Sequence, residues 1–406
     1  LYGDPSYTRI VTLAGFSIPL MLVFRNVSST YLGLRLFRAS SVFEFAQIAI
    51  YAVLGTALVL LFRSATSAIF TYAVSFVLGL TLFIPMLATY IVRKEPYFRA
   101  LDEKDFYRRL LRFSIWFMVT PILAQVFHYV DRLCIQRLMT SSDQGIYSAT
   151  VAIAQMISAV GLAVNNVIYP HLSAIWERGR REVALRHLDL AIRVTAVVLL
   201  ILGLVVVLLG NFLIALLLGE DYAEGARVLP YLVVFYLVTI SVWLFGVFPS
   251  LIEKTYVATI GLVIALPVNI VLNLALIPRT GIVGAAMATM LSYFVMWLIV
   301  VAVCRRFGMS VSARTLLVSL TPVALLLPGF WASALVLVVV LLSLLTPAIF
   351  RPDERVLARN EIVGFLARLR SARGGRGGPP EPPGGRGRPE AGEGPEGAPG
   401  EPGDSQ

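Results

Sequence analysis

An all-α polytopic membrane bundle of about eleven transmembrane helices is the fold class this sequence predicts, on three observations. Long apolar stretches recur between residues 10 and 350, several of them free of charge over the roughly 20 residues needed to cross a hydrocarbon core of about 30 Å. The chain is 58% hydrophobic and 14% charged, with a mean hydropathy of +0.80, far from the composition of a soluble domain. Lysine and arginine gather in alternate loops between the stretches. Helices are required because exposed sheet edges or coil in lipid would leave backbone polar groups unsatisfied at several kcal/mol each, and the alternation expected of barrel strands is absent.

The expected spans are 10–34, 45–62, 64–92, 113–138, 144–171, 194–219, 228–252, 255–278, 280–304, 313–328 and 331–350. The first is interrupted by Pro19 and Arg25, which predicts a broken or tilted helix. The sixth is the plainest, with no charge from Val194 to Gly219. The last two form one apolar stretch from Thr315 to Phe350, which as a single helix would run about 54 Å and overshoot the bilayer. Pro328 and Gly329 supply the turn that divides it.

Basic residues resist translocation, so the loop charges set orientation. One set of alternate loops carries Arg35 and Arg38, the run from Arg93 to Arg112, the group from Arg178 to Arg186, Lys254, and Arg305, Arg306 and Arg314. The other set holds only Arg9, Arg63, Arg227 and Arg279. The first end is therefore expected outside and the C-terminal tail in the cytoplasm. The longest polar interruption, 93–112, is the expected cytoplasmic linker between an N-terminal lobe remnant of three helices (1–92) and a six-helix C-terminal lobe (113–306), with an extra helix pair at 313–350. Residues 351–370 set apolar side chains among arginines, the pattern of an amphipathic helix in the headgroup plane. From 371 to 406, glycine, proline, arginine and glutamate dominate, and disorder is expected.

Composition also excludes. Cys134 and Cys304 lie far apart inside apolar runs and support neither a disulfide framework nor a metal cluster. The net charge of +10 is spread over loops rather than set beside aromatic platforms, so nucleic acid is not an expected partner. No Walker loop, no H-E-x-x-H, no G-x-S-x-G and no cysteine–histidine constellation is present, so no cofactor or catalytic residue is assigned. Asp143, Glu220, Asp221 and Glu224 are the obvious acids of the outward loops, and they do not form the spaced pair an outer-loop sugar enzyme needs. The chain opens at Leu1 without the basic flank or cleavage site of a secretory signal, and reads as a piece of something longer.

Ionisable groups at bilayer depth are the site candidates, since each costs roughly 2.5–3.5 kcal/mol on insertion scales unless it faces a partner or water. In the fourth span His128, Asp131 and Arg132 fall at i, i+3 and i+4 on one helical face, with Gln125 a turn earlier and Arg137 toward the outer end. Two readings of this stripe stand. Either it lines a cavity in which Asp131 takes a proton or cation or orients an arginine, or Asp131 is neutralised internally while an arginine snorkels to the interface. Arg25 either faces an anionic substrate or snorkels. Asn165, beside Asn166, suits interhelical hydrogen bonding, and Asn269 and Asn273 place two amides a turn apart behind Pro267, either as packing or at a bend. Gly281, Gly284, Ala285 and Ala288 make a small-residue face for close helix contact.

Four passages carry a family resemblance: YVDRLCIQRLMTSSDQGIYSATVAIAQ, VIYPHLSAIW, LGEDYAEGARVLPYL and PVNIVLNLALIPRTGIVGAAMATMLSY. In residues 111–171 and 256–293 especially, the chain resembles the polysaccharide-exporter (O-antigen flippase) branch of the multidrug, oligosaccharidyl-lipid and polysaccharide exporter superfamily. The resemblance implies two six-helix lobes around a hydrated cavity, with about three opening helices missing from this sequence, and a protein that moves lipid-linked sugars across the membrane. By motif position it carries over Asp131 alone; Arg25, Arg132 and Arg137 are candidates by charge. The expected function is thus a non-enzymatic flippase of the cytoplasmic membrane for a polyprenyl-linked oligosaccharide, coupled to H+ or Na+, with polysaccharide assembly enzymes as further partners. A cation-coupled drug or metabolite antiporter of the same superfamily, a carrier of sterols or peptidoglycan precursors, and a polytopic glycosyl or lipid transferase are the alternatives.

Overall fold

The computed structural model describes residues 5–34, 36–93, 103–347, 349, 350 and 354. Among them every regular element is helical, as a chain immersed in lipid requires. The expected amphipathic segment 351–370, apart from Glu354, and the tail 371–406 lie outside the described residues.

Backbone contacts divide the chain into two compact units, residues 1–107 and 108–406. The first contains α1 (Pro5–Gly33), α2 (Phe37–Phe62) and α3 (Ala65–Arg93). α1 is continuous through Pro19 rather than broken there. An aromatic core holds the three together: Phe24 stacks on Phe43 at 4.0 Å between ring centroids, Phe76 tilts against Phe24, and Tyr31 donates its hydroxyl to the Phe83 carbonyl at 2.8 Å.

The second unit contains most of α4 (Glu103–Leu138), which begins inside the segment expected to be linker, and α5 (Ser141–Glu177) and α6 (Arg181–Leu208). α7 (Gly210–Leu217), α8 (Gly225–Phe245), α9 (Val247–Leu251), α10 (Tyr256–Thr280) and α11 (Ile282–Arg306) follow, then α12 (Ala313–Leu320), a 3-10 turn (Thr321–Leu326) and α13 (Gly329–Leu345). Two expected spans are thus broken helices. The 194–219 run starts earlier, at Arg181, and breaks between Leu208 and Gly210; the 228–252 run breaks at Gly246. Thr140 caps α5 in a reciprocal capping box with Asp143, and Ser312 accepts from Thr315 N to cap α12.

Among the described residues seven spans are long and apolar enough to cross a membrane: Arg38–Phe62, Thr66–Tyr90, Ser141–Glu177, Arg181–Leu208, Gly225–Leu251, Tyr256–Thr280 and Ile282–Arg306. These seven do not by themselves confirm the count of about eleven. The charged and polar residues of α1 and α4 hold down their hydropathy, and the apolar pieces Ala313–Leu326 and Gly329–Ser343 are short.

α8 is the axis of the second unit. It is apolar on all sides, and 83% of its membrane-length window is buried, as such a helix must be. α5, α6 and α11 surround it. Gly161 of α5 lets the approach happen: a Cβ built there would lie 2.4 Å from Ile240 of α8. At the end of the unit, Arg193 of α6 is 2% exposed and gathers Asp189 at 2.9 Å, both oxygens of Glu354 at 2.8 and 2.9 Å, and the Ile349 carbonyl. Asp189 accepts in turn from Thr315 at the start of α12 at 2.5 Å, so one buried guanidinium ties α6, α12 and the chain beyond α13 together.

Two stability changes follow. Gly161→Ala should cost about 1–3 kcal/mol through overpacking, and Ile240→Ala in the same chain should recover part of it. Arg193→Ala should cost about 3–5 kcal/mol, because it leaves Asp189 and Glu354 without their cation. Thermal unfolding of the purified variants in one detergent measures both.

Candidate functional site

Asp131 sits on α4 at membrane depth and is 3% exposed. A carboxylate so placed must find donors, and three neighbouring helices supply them. Tyr147 of α5 donates to Oδ2 at 3.1 Å, Thr289 of α11 donates to the same oxygen, and Asn269 and Asn273 of α10 donate to Oδ1 at 3.1 and 2.7 Å. Hydrogen bonds to a charged group are worth about 1.5–3 kcal/mol each, against a burial cost that no single bond offsets. Helical spacing makes the set possible: Asn269 and Asn273 are four residues apart and meet the same oxygen, while Asn273 also donates to Asn269 Oδ1 at 3.0 Å. A second link, between Thr120 and Thr259 at 2.6 Å, joins α4 to α10 about three turns away.

One acceptor is left over. Asn273 Oδ1 is buried with no hydrogen-bond partner, a state that costs about 1–3 kcal/mol. Amide oxygen and nitrogen are exchanged by rotating the side chain, so when that amide turns over the side-chain oxygens of Asp131, Asn269 and Asn273 face one another. Carboxylate, amide and hydroxyl oxygens suit a hard cation; among the described residues no group of three His, Cys, Asp or Glu is placed to hold a transition metal.

On its other side the carboxylate borders a cavity of about 200 Å³ lined by Gln125, His128, Tyr129, Arg132, Gln155 and Tyr236, with Tyr147 and Thr289 from the donor set. The Arg132 guanidinium lies 5.5 Å from the Tyr129 ring centroid, and the His128 ring stands edge-on to Phe235 at 5.8 Å. Gln125, Tyr129 and Gln155 are exposed at its mouth, so an acid with its donors and a guanidinium that has no carboxylate partner among the described residues share one polar chamber open at the surface of the unit.

The structure thus brings together six of the residues expected from sequence: Gln125, His128, Asp131, Arg132, Asn269 and Asn273. Three lie apart from them. Arg25 is exposed on α1 in the first unit, and Arg137 is exposed in the last turn of α4. Asn165 buries its Oδ1 without a partner in place of the expected interhelical bond through that atom. Tyr147, Gln155, Tyr236 and Thr289 were not expected. Each lies on a span as an ordinary neutral residue, and the only signal was that the passage quoted around Asp131 runs on through Tyr147 and Gln155.

Residues 1–176 match the family described as polysaccharide biosynthesis protein. The uncharacterized membrane protein MJ1068 of Methanocaldococcus jannaschii is 24% identical over 273 residues, covering 65% of this chain and 51% of that protein. This chain therefore spans about half the length of the curated relative it matches. Among solved structures, the lipid II flippase MurJ in an inward closed conformation superposes with a TM-score of 0.54 at 15% identity, over 83% of this chain and 72% of that one. The Vibrio cholerae MATE transporter VcmN in its bent form gives a TM-score of 0.45 at 20% identity, over 64% and 61%. The resemblance read from the sequence is borne out by the family match over residues 1–176 and by the fold shared with the flippase, and the apolar helices make this a multi-pass membrane protein.

Removing donors should show how much the carboxylate depends on them. Asn273→Leu is expected to lower stability by about 2–4 kcal/mol, since it deletes the shortest amide contact and leaves Asp131 buried, whereas Asn273→Leu combined with Asp131→Leu should recover part of that loss. Thermal denaturation of the single and double variants gives the coupling.

Proposed function

We propose that this chain carries out the membrane step of a flippase that moves a lipid-linked oligosaccharide or polysaccharide precursor across the cytoplasmic membrane by alternating access, with Asp131 taking the coupling cation. The observation that carries the reading is the juxtaposition in one chamber of a caged acid and the Arg132 guanidinium. The match to polysaccharide biosynthesis proteins supplies the substrate class, and the fold shared with a lipid II flippase supplies a scaffold for such a task.

The physics of the job selects for these residues. Dragging a glycan on an anionic phosphate linkage through hydrocarbon would strip its hydrogen bonds, whereas a wet chamber with Gln125, His128, Arg132 and Gln155 replaces them while the prenyl tail stays in lipid. A cation seated against Asp131 removes the need for the four donors to hold a bare carboxylate. Seating and release then bias the packing of α4 against α5, α10 and α11, which is the two-state element that alternating access needs. In this reading H+ or Na+ is the coupling ion, the loops rich in arginine and the C-terminal tail face the cytoplasm, and enzymes of polysaccharide assembly deliver and collect the substrate.

The test is appearance of labelled lipid-linked glycan on the far leaflet of proteoliposomes containing the full chain. Asp131→Asn should slow it at least tenfold and remove its dependence on the cation gradient. Arg132→Gln should raise the half-saturating substrate concentration by about 10- to 100-fold, the loss expected of a charge-assisted contact, with Arg132→Lys in between. Wild-type rates and gradient dependence in Asp131→Asn would remove that acid from the mechanism.

A further inference from the structure

A second carboxylate lies at membrane depth, in the first unit, and the chamber around Asp131 makes no use of it. Glu44 is the eighth residue of α2, about 10 Å of helical rise inside the span that runs to Phe62. The sequence-based span began at residue 45 and passed over it. Glu44 is half-buried, and Ser28 of α1 donates to its Oε1 at 2.6 Å. Ser40, one turn earlier on α2, stands 3.2 Å from Ser28 Oγ; because the Ser28 proton is committed to Glu44, Ser40 is the donor. Ser28 is 2% exposed and Ser40 3%.

The three residues open a polar seam that continues along one face of α2. Ser40, Glu44, Gln47 and Tyr51 follow at i, i+4, i+7 and i+11. Gln47, 7% exposed, donates to Ser75 of α3 at 2.9 Å, and Tyr51 meets the edge of Tyr72 at 5.3 Å. The charged and titratable groups on the packed helices do not neutralise the acid. Arg25 on α1 and Arg38 on α2 are exposed, Tyr31 gives its hydroxyl to the Phe83 carbonyl, and the Tyr72 hydroxyl points to Met21 Sδ at 3.8 Å. Among the described residues no lysine, arginine or histidine pairs with Glu44.

The contrast with Asp131 is the argument. Four donors surround that acid; among the described residues a single hydroxyl reaches Glu44. A carboxylate at this depth with one donor and no fixed cation calls for a positive charge that arrives from solution. We propose that Glu44, with the hydroxyls of Ser28 and Ser40, is a monovalent-cation site of the first unit, taking H+ on the carboxylate or Na+ among the oxygens. Its use in transport rests on the flippase reading; its occupancy does not, so the two fail separately.

Two counts on the purified full chain test it without any glycolipid: saturation binding of radiolabelled Na+, and protons taken up between about pH 9 and pH 6. Glu44→Gln keeps a partner for Ser28 and should lose one cation equivalent relative to wild type. Loss from the Na+ count identifies a sodium site, and loss from the proton count alone identifies a proton site. Ser28→Ala should weaken the same binding by about tenfold or more. Binding that depends on Asp131 should persist in both variants and reports that they are folded. Identical Na+ and proton counts in wild type and Glu44→Gln overturn the proposal, as does loss of the Asp131-dependent binding together with that of Glu44, which would make the two a single site.

Discussion

A buried carboxylate that must be satisfied by neutral donors is the constraint from which the second unit takes its form. Asp131 cannot be left bare in lipid, and one helix cannot supply enough donors to its side chain, so α5, α10 and α11 each bring one or two polar residues to the same pair of oxygens. Lipid gives helices little hydrophobic reason to prefer each other, which makes such polar nodes the specific part of the packing. The buried helix α8 and the glycine that admits it provide close contact; the carboxylate provides register.

The same node explains why the unit holds a chamber beside its packed core. Donors that converge on Asp131 from one side leave its neighbours on α4, His128 and Arg132, facing a space with Gln155 and Tyr236 across it. A polar space of about 200 Å³ holds several waters, and water is what an unpaired guanidinium at this depth requires. Arg193 is the counterexample in the same unit. It too is buried, but two carboxylates and a carbonyl saturate it. Saturated charge is structural; the unsaturated oxygen of Asn273 and the free face of Arg132 mark the site.

Much of this was legible in the sequence, and what was not has physical causes. Each expected apolar run corresponds to a helix or a consecutive pair of elements, because the bilayer admits no other local structure. The breaks at Leu209 and Gly246 depend on what those residues pack against and left no trace in hydropathy. Asp131 stood out as a charge where charge is costly, and Asn269 and Asn273 as amides a turn apart, but their meeting spans 138 and 142 residues and belongs to tertiary structure. Tyr147 and Thr289 are unremarkable in any apolar run. Glu44 and Arg193 were missed for a simpler reason: each falls one residue outside the edge drawn for its span, where a charge looks like part of a loop.

Water access to the chamber is the claim on which the account turns, and cysteine labelling in intact membranes measures it directly. In a chain with Cys134 and Cys304 replaced by serine or alanine, single cysteines at His128 and Gln155 should react with a charged, hydrophilic thiol reagent, and cysteines at Leu133 and Met156, whose side chains are 60% and 68% exposed on the outside of the same two helices, should not. Labelling at Leu133 and Met156 with silence at His128 and Gln155 would mean that the polar face of α4 is dry and that the chamber conducts nothing.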